Sequence, residues 1–306
     1  MSNRTEEAKQ LGIYGKDLIH NPQDKSFEGY IKEETPYQID FLDNTEIEFC
    51  KKFYYDKATK NGLQLHKSHF FLKYPLAFPE LKEIIVPKLN KLFGEWFTYN
   101  DIAKNEQDLQ QTADFYFWQS GIFAPHTDAI IHIPGFVPFK DVLIPLELEG
   151  CDNAPYYTFN QRWYGRGARF KYSHVDEVFT LYSDVIREKT YDQYSFFKNY
   201  ESDPSKMVSK DWYDEYFGIY NYEVLKGFSI DKMLPWMSGS AIVTDSSVIH
   251  GATNYKLKGG KYKLGITLRL FKKIPEYNPS TVFSRYSQEL QKFKEFNADP
   301  RSANYA

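Results

Sequence analysis

The sequence predicts a mainly β domain, a sandwich or a barrel, with flanking helices. Three observations carry this expectation. From residue 113 onward, short runs rich in Val, Ile, Phe, Tyr and Trp recur, bounded by Pro, Gly or Asn. Before residue 113 the apolar spacing is helical instead. Aromatic residues make up 18% of the chain, 25 of them Tyr and 25 Phe, which suits half-buried strands better than solvated helices.

Taken in order, residues 1 to about 36 are polar and irregular, with turn signals at Asn21-Pro22 and Thr35-Pro36, and read as a lead-in wrapped on the surface. Residues 44–58 place Ile47, Cys50, Phe53 and Tyr54 at helical spacing with Phe49 beside them; Asn44 or Thr45 is the expected cap. A second helix is predicted over 79–97. Pro79 suits its first turn, and Leu81, Ile84, Ile85, Leu89, Leu92 and Phe93 form one stripe. Pro87 falls inside that stripe and predicts a kink or a restart. Residues 1–112 thus form an N-terminal helical support region.

Strands then follow: DFYFWQ (114–119), DAIIHIP (128–134), KDVLIPLEL (140–148) and APYYTFNQRWY (154–164). Residues 165–232 break the pattern. They mix helix-like pieces such as DEVFTLYSDVIREK (176–189) with loop pieces such as NYESDPSKM (199–207). Strands resume at GSAIVTD (239–245), SVIHGA (247–252) and KYKLGITLRLF (261–271). The chain reads as a single domain over 1–306. Its β core covers 113–164 and 233–274, its insertion 165–232 is expected to cap the mouth as a lid, and 275–306 forms a C-terminal tail.

Bulk properties exclude several classes. A hydrophobic content of 42% supports a real core, and a net charge of -3 argues against a generally nucleic-acid-binding surface. The two cysteines, Cys50 and Cys151, are too few for a disulfide framework and fit a reducing compartment. No apolar run reaches the roughly 18 residues of a membrane span, and MSNRTEEAKQ lacks the apolar core of a signal peptide. A soluble, cytoplasmic protein with no membrane partner is expected.

The chemistry concentrates at His126-Thr127-Asp128 and at His250. An imidazole and a carboxylate two residues apart project from the same side of an extended segment. A second imidazole from a later strand completes three ligands on one face of a metal, suited to Fe(II), Mn(II) or Co(II), with positions left open for substrate and oxygen. His132 shares the parity of 126 and 128, so strand geometry allows it a ligand role; it reads rather as a pocket residue or as a plain buried histidine. Asp245 reads equally as a turn residue or as a partner behind the ligands.

HTD, the later IVTDSSVIHGA and the final KLGITLRLF resemble the Fe(II)/2-oxoglutarate-dependent oxygenase superfamily, in its prolyl-hydroxylase-like and phytanoyl-hydroxylase-like branch. The resemblance covers roughly residues 113–163 and 234–272. It implies a double-stranded β-helix, a cupin-like jelly-roll core of eight main strands. It also implies oxidative decarboxylation of 2-oxoglutarate to succinate and CO2, with Fe(II) as cofactor and O2 consumed, coupled to hydroxylation of a second substrate.

On that pattern His126, Asp128 and His250 match the catalytic metal ligands. Retention of Asp128 points to hydroxylation, because halogenating relatives lack this carboxylate. The distal carboxylate of 2-oxoglutarate needs a cation. Lys263, thirteen residues after His250, takes the place of the usual Arg and is favoured. As a point charge rather than a fork it wants a helper hydroxyl, for which Thr267 on the same face is the candidate. Arg269 shares that face and is the alternative partner. Tyr116 is the candidate to hydrogen-bond the cosubstrate or to pack in the core, Trp118 shares its face, and Asn160 and Gln161 are candidates for the keto-acid end.

The substrate is open. NQRWYGRGARFKY (160–172) interleaves four cations with four rings, which suits a nucleic-acid strand, an acidic peptide or a plain lid. A small molecule or a peptide is favoured over nucleic acid. Two rivals stand beside the oxygenase: a metal-binding cupin-type enzyme without 2-oxoglutarate, and a non-catalytic jelly-roll interaction protein.

Overall fold

The computed structural model describes residues 27–60, 71–73, 75–102, 115–119, 125–128, 133–164, 172–173, 178–181, 184–187, 198–218, 222–225 and 227–277. In chain order its elements are β1 (Tyr37–Asp40), α1 (Asn44–Lys60), β2 (Phe71–Lys73), α2 (Pro79–Phe93), the short α3 (Tyr99–Ile102), β3 (Phe115–Gln119), β4 (Phe136–Glu149), β5 (Tyr156–Arg162), β6 (Tyr172–Ser173), β7 (Val178–Leu181), β8 (Asp184–Arg187), α4 (Lys210–Tyr216), β9 (Ile230–Leu234), β10 (Ser240–Asp245), β11 (Val248–Ala252) and β12 (Tyr262–Lys273). Among the described residues, no helix is long and apolar enough to cross a membrane.

The strands form a six-stranded sheet in the order β1-β10-β4-β12-β3-β2, a small three-stranded sheet β11-β5-β9, and a separate group of short strands β6-β7-β8, all with antiparallel pairing. Period-two alternation along β12 decides the layers. Leu264, Ile266, Leu268 and Leu270 pack in one core with Leu81, Ile85 and Leu89 of α2 and with Ile47, Cys50, Tyr54 and Ala58 of α1. Lys263, Gly265, Thr267 and Arg269 take the other face. There Leu143 and Ile242 of the large sheet pack against Tyr156 and Leu234 of the three-stranded sheet and against Trp236. The architecture is thus helices, large sheet, small sheet.

β4 is a central strand that carries two prolines, Pro138 and Pro145. Its register against β12 slips by one residue beside each of them. The bulges absorb the missing N–H groups that a regular central strand would need.

Several local expectations need correction. The cap of α1 is Asp43: its carboxylate accepts from the Glu46 N–H at 2.9 Å while the Glu46 carboxylate accepts from the Asp43 N–H at 2.8 Å. This reciprocal pair satisfies two of the free N–H groups at the helix start, which Asn44 or Thr45 would each have done singly. α2 ends at Phe93 rather than 97, where Gly94 adopts φ 68°, and it does not restart at Pro87, which lies inside the one helix. The lead-in does more than cover the surface, since Phe27 and Ile31 are buried with Val137, Tyr164 and Tyr277. The helix-like DEVFTLYSDVIREK holds the antiparallel strands β7 and β8, whose β-branched and aromatic residues suit a hairpin. The described part of the insertion packs Val208, Phe217, Leu225 and Phe228 on Tyr157, Phe159 and Ile249, which lie on the outer face of the small sheet. It buttresses that sheet. The basic residues of 165–171 lie outside the described residues.

The turn into β10 depends on a glycine. Gly239 has φ 81°, and its carbonyl accepts from the N–H groups of Phe41 and Leu42 at 3.0 and 2.7 Å. A Cβ there would stand 2.7 Å from the Leu42 carbonyl oxygen and 2.5 Å from Ile47 Cδ1. Gly239→Ala is therefore expected to lower stability by about 1–3 kcal/mol, read as a lower midpoint in urea. An unchanged midpoint would mean the turn relaxes without loss.

Candidate metal centre

His126 and His250 face each other across an antiparallel bridge. Each donates its backbone N–H to the other's carbonyl at 2.9 Å. Directly opposed residues of a sheet project to the same side, and the two imidazoles stand 4.5 Å apart between ring centres. Asp128, two residues beyond His126, returns to that side. The bridge appends the His126 segment to the edge of the small sheet beside β11.

Asp128 lies between the two rings. Its Oδ1 is 3.6 Å from His126 Nε2 and its Oδ2 is 3.5 Å from His250 Nε2. Arg269 Nη2 donates to Oδ1 at 2.6 Å. One ligand atom from each of the three residues lies within 4.8 Å of the others, and the group is the cluster of this kind found among the described residues. A divalent ion with bonds of about 2.1 Å holds donors at right angles about 3 Å apart, so the carboxylate has to close on each imidazole by about half an ångström, and the most widely spaced pair by more, to share one ion.

The atoms behind the ligands support the fit. His250 Nδ1 lies 2.9 Å from the Val248 carbonyl. Donating there places the proton on Nδ1 and leaves the Nε2 lone pair free for a metal. The Tyr156 ring stacks on His250 at 5.2 Å and fixes its plane. Burial alone would push the Asp128 carboxyl up, but the Arg269 guanidinium and the two imidazoles hold it well below the usual carboxylate range. Asp128 is thus an anion ready to ligate. Burial disfavours charge on His250, and the adjacent Asp128 more than offsets it, so its value is raised.

A cavity of 40 Å³ opens beside the triad, lined by Leu143, Tyr156, Trp236, Ile242, Thr267 and Asp141 among others. Lys263 lies beyond Trp236 on the same face of β12. It is fully buried; its ammonium donates to the Ala154 carbonyl at 2.6 Å and sits 4.6 Å over the Trp236 ring. No carboxylate pairs with it among the described residues, and burial pushes its value down to about 7. Arg269 is spent on Asp128 at the other end of the strand.

The structure thus brings His126, Asp128, His250 and Thr267 to one cavity, with Arg269 bonded to Asp128; Lys263 lies on the same face of β12 but not among the residues that line this cavity. Tyr116 is placed by its backbone, directly opposite Thr267 on the neighbouring strand, and Trp118 opposite Gly265. His132 lies outside the described residues. Asn160 and Gln161 are not at the cavity: the Asn160 amide donates to Ser229 Oγ, and Gln161 bonds the Ser229 N–H and the Asn199 carbonyl, tying β5 to the end of the insertion. Asp245 is a turn residue, accepting from Ser247 and from the Glu34 N–H. Most of the cavity's lining escaped the sequence reading, Asp141, Tyr156 and Trp236 among it. Only Asp141 carried a signal, as a lone acid at the start of the apolar run VLIPL.

A scan of protein-family models finds no match to this chain, and a search of curated proteins finds no relative.

Proposed function

We propose that this protein is an Fe(II)- and 2-oxoglutarate-dependent oxygenase that hydroxylates a small-molecule or peptide substrate. The observation that carries the proposal is Lys263. A fully buried ammonium with no acid partner is costly, and it lies on the strand face that also carries the partner of the metal-ligating Asp128. A dianionic cosubstrate spanning from the metal to Lys263 relieves that cost. A metal enzyme without such an anion, or a non-catalytic module, gives no reason to keep it.

The strand order supports the jelly-roll reading. The central strands β3-β12-β4-β10 of the six-stranded sheet face the three-stranded sheet β11-β5-β9, which the His126 bridge extends at the β11 edge, and the chain passes from β10 to β11 to β12 by alternating between the two.

When bound, ferrous iron with 2-oxoglutarate and oxygen supplies the oxidation of a C–H bond, the keto acid leaving as succinate and CO2. The chain's own part is to orient and to exclude water. His126, Asp128 and His250 hold one side of the ion. Arg269 keeps Asp128 ionised and aimed. Leu143, Tyr156, Trp236 and Ile242 keep the opposite side dry. The 40 Å³ cavity has room for about three waters, and the Trp236 indole on its wall is held by its N–H to the Glu147 carbonyl at 2.9 Å.

The test is succinate release from 2-oxoglutarate with ferrous iron and ascorbate. Release that stops with a chelator is the expected result, even uncoupled from a second substrate. A protein that binds Co(II) but releases no succinate would be a metal enzyme of another class, and one that binds no Co(II) would be an interaction module.

A further inference from the structure

A groove of 520 Å³ runs between α1 and α2, on the opposite side of the large sheet from the triad. Its floor is apolar. Phe49 keeps 38% exposure while Ile47 and Cys50 on the same helix are buried, and Ile84 and Pro87 face it from α2. An apolar floor left in water inside a polar rim is the mark of an interaction site. The rim here is acidic. Glu46, Glu80 and Glu83 bring three carboxylates against the one ammonium of Lys88. Lys88 is committed to Glu46 at 2.8 Å, and neither Glu80 nor Glu83 has an ion pair among the described residues. Pro87 has no N–H, so the Glu83 carbonyl one turn earlier lacks its helical donor. The polar groups left over on the groove, two carboxylates and a carbonyl, are all acceptors.

We propose that this groove docks a basic peptide segment of a partner protein, with an apolar side chain seated on Phe49, Ile84 and Pro87 and flanking arginines reaching Glu80 and Glu83. The surface selects that chemistry. A guanidinium fork matches a carboxylate and still has donors for the carbonyl. Its stem packs on apolar surface while its head stays at the rim. The rings favour a cation too. Phe49 stands 6.3 Å from Phe53 and Phe53 5.0 Å from Phe78, and the Lys57 ammonium lies 4.5 Å over the Phe78 ring. The strip that continues from the groove therefore already carries one cation on an aromatic face. The same acids repel a nucleic acid or an anionic membrane. A second copy of this chain docking with the same face would set acid against acid. Because the large sheet separates the groove from the triad, docking here does not depend on the oxygenase reading.

The experiment uses the full chain and three fluorescein-labelled peptides, with binding read by anisotropy at low salt. The peptides are Arg-Leu-Arg-Arg-Leu-Arg, the same with Glu for every Arg, and the same with Ser for every Leu. The first should bind about tenfold or more tighter than either of the others, and more weakly as salt is raised. Glu80→Lys combined with Glu83→Lys should weaken it roughly 10- to 100-fold, and Phe49→Ser about tenfold. All three positions are exposed, so the thermal melt should stay at the wild-type value. No binding of the first peptide, or equal binding of all three, overturns the proposal. So does affinity lost on charge reversal but kept in Phe49→Ser, since surface acids alone would then attract the cation. A wild type that sediments as a dimer, and as a monomer in Phe49→Ser, overturns it in favour of a second copy.

Discussion

Asp128→Ala is expected to abolish turnover and to weaken divalent metal binding by more than about 100-fold. Residues behind a ligand cost 10- to 100-fold when removed, and Asp128 would contribute the one anionic ligand of the proposed centre. The substitution acts twice. It removes a donor that faces both imidazoles at 3.5 and 3.6 Å, and it leaves Arg269 buried with its carboxylate partner gone. Breaking a buried pair on one side costs about 3–5 kcal/mol, so the apo variant should also melt earlier than the wild type. Asp128→Asn separates the two effects, because it keeps the shape and a neutral acceptor for Arg269 while losing the charge on the metal. The measurements are a Co(II) titration followed by its visible spectrum, succinate release, and a thermal melt. Turnover retained in Asp128→Ala would show that the metal is held elsewhere.

Much of this arrangement was readable in the sequence, and the exceptions have physical reasons. β12 was readable because four leucines and isoleucines alternate with Lys263, Gly265, Thr267 and Arg269, a period that only a strand satisfies. His126 and Asp128 were readable because two residues is one strand period. β1 was not, since YQID is four residues without a clear apolar face. DEVFTLYSDVIREK misleads because Val178, Leu181 and Val185 are three and four residues apart, a spacing a helix also uses; only the pairing of β7 with β8 decides it. The choice between Lys263 and Arg269 was beyond parity, since both face inward. It turns on which acid each one meets, a contact made between residues 141 positions apart for Arg269 and Asp128. Asp141 read as part of a strand, and its place on the cavity wall is a property of the packed sheets.

The second large effect expected is at Lys263. Lys263→Met should raise the 2-oxoglutarate concentration needed for half-maximal succinate release by 100-fold or more, because the buried ammonium supplies a charge-assisted bond that methionine lacks. The same variant should be more stable than the wild type without ligand, by about 1–4 kcal/mol, the range found when buried ion pairs give way to apolar residues of similar volume. The pH dependence has a definite sign. Burial lowers the folded value of Lys263 from 10.5 to about 7. Between pH 7 and about 10 the unfolded chain therefore holds a proton that the folded chain has released, and wild-type stability from this group rises with pH across that window. The cost of the charge is borne in full below pH 7, so the stability gap between the variant and the wild type is widest there and closes toward pH 10. Cosubstrate binding runs the other way. If, as proposed, the anion binds the protonated lysine, wild-type affinity should fall by about tenfold for each pH unit above 7, while the variant's weak binding stays flat. Melts at pH 6.5 and 9.5, with and without 2-oxoglutarate, read both trends together. A variant that melts higher yet needs no more 2-oxoglutarate than the wild type would move the anion away from Lys263 and toward Arg269.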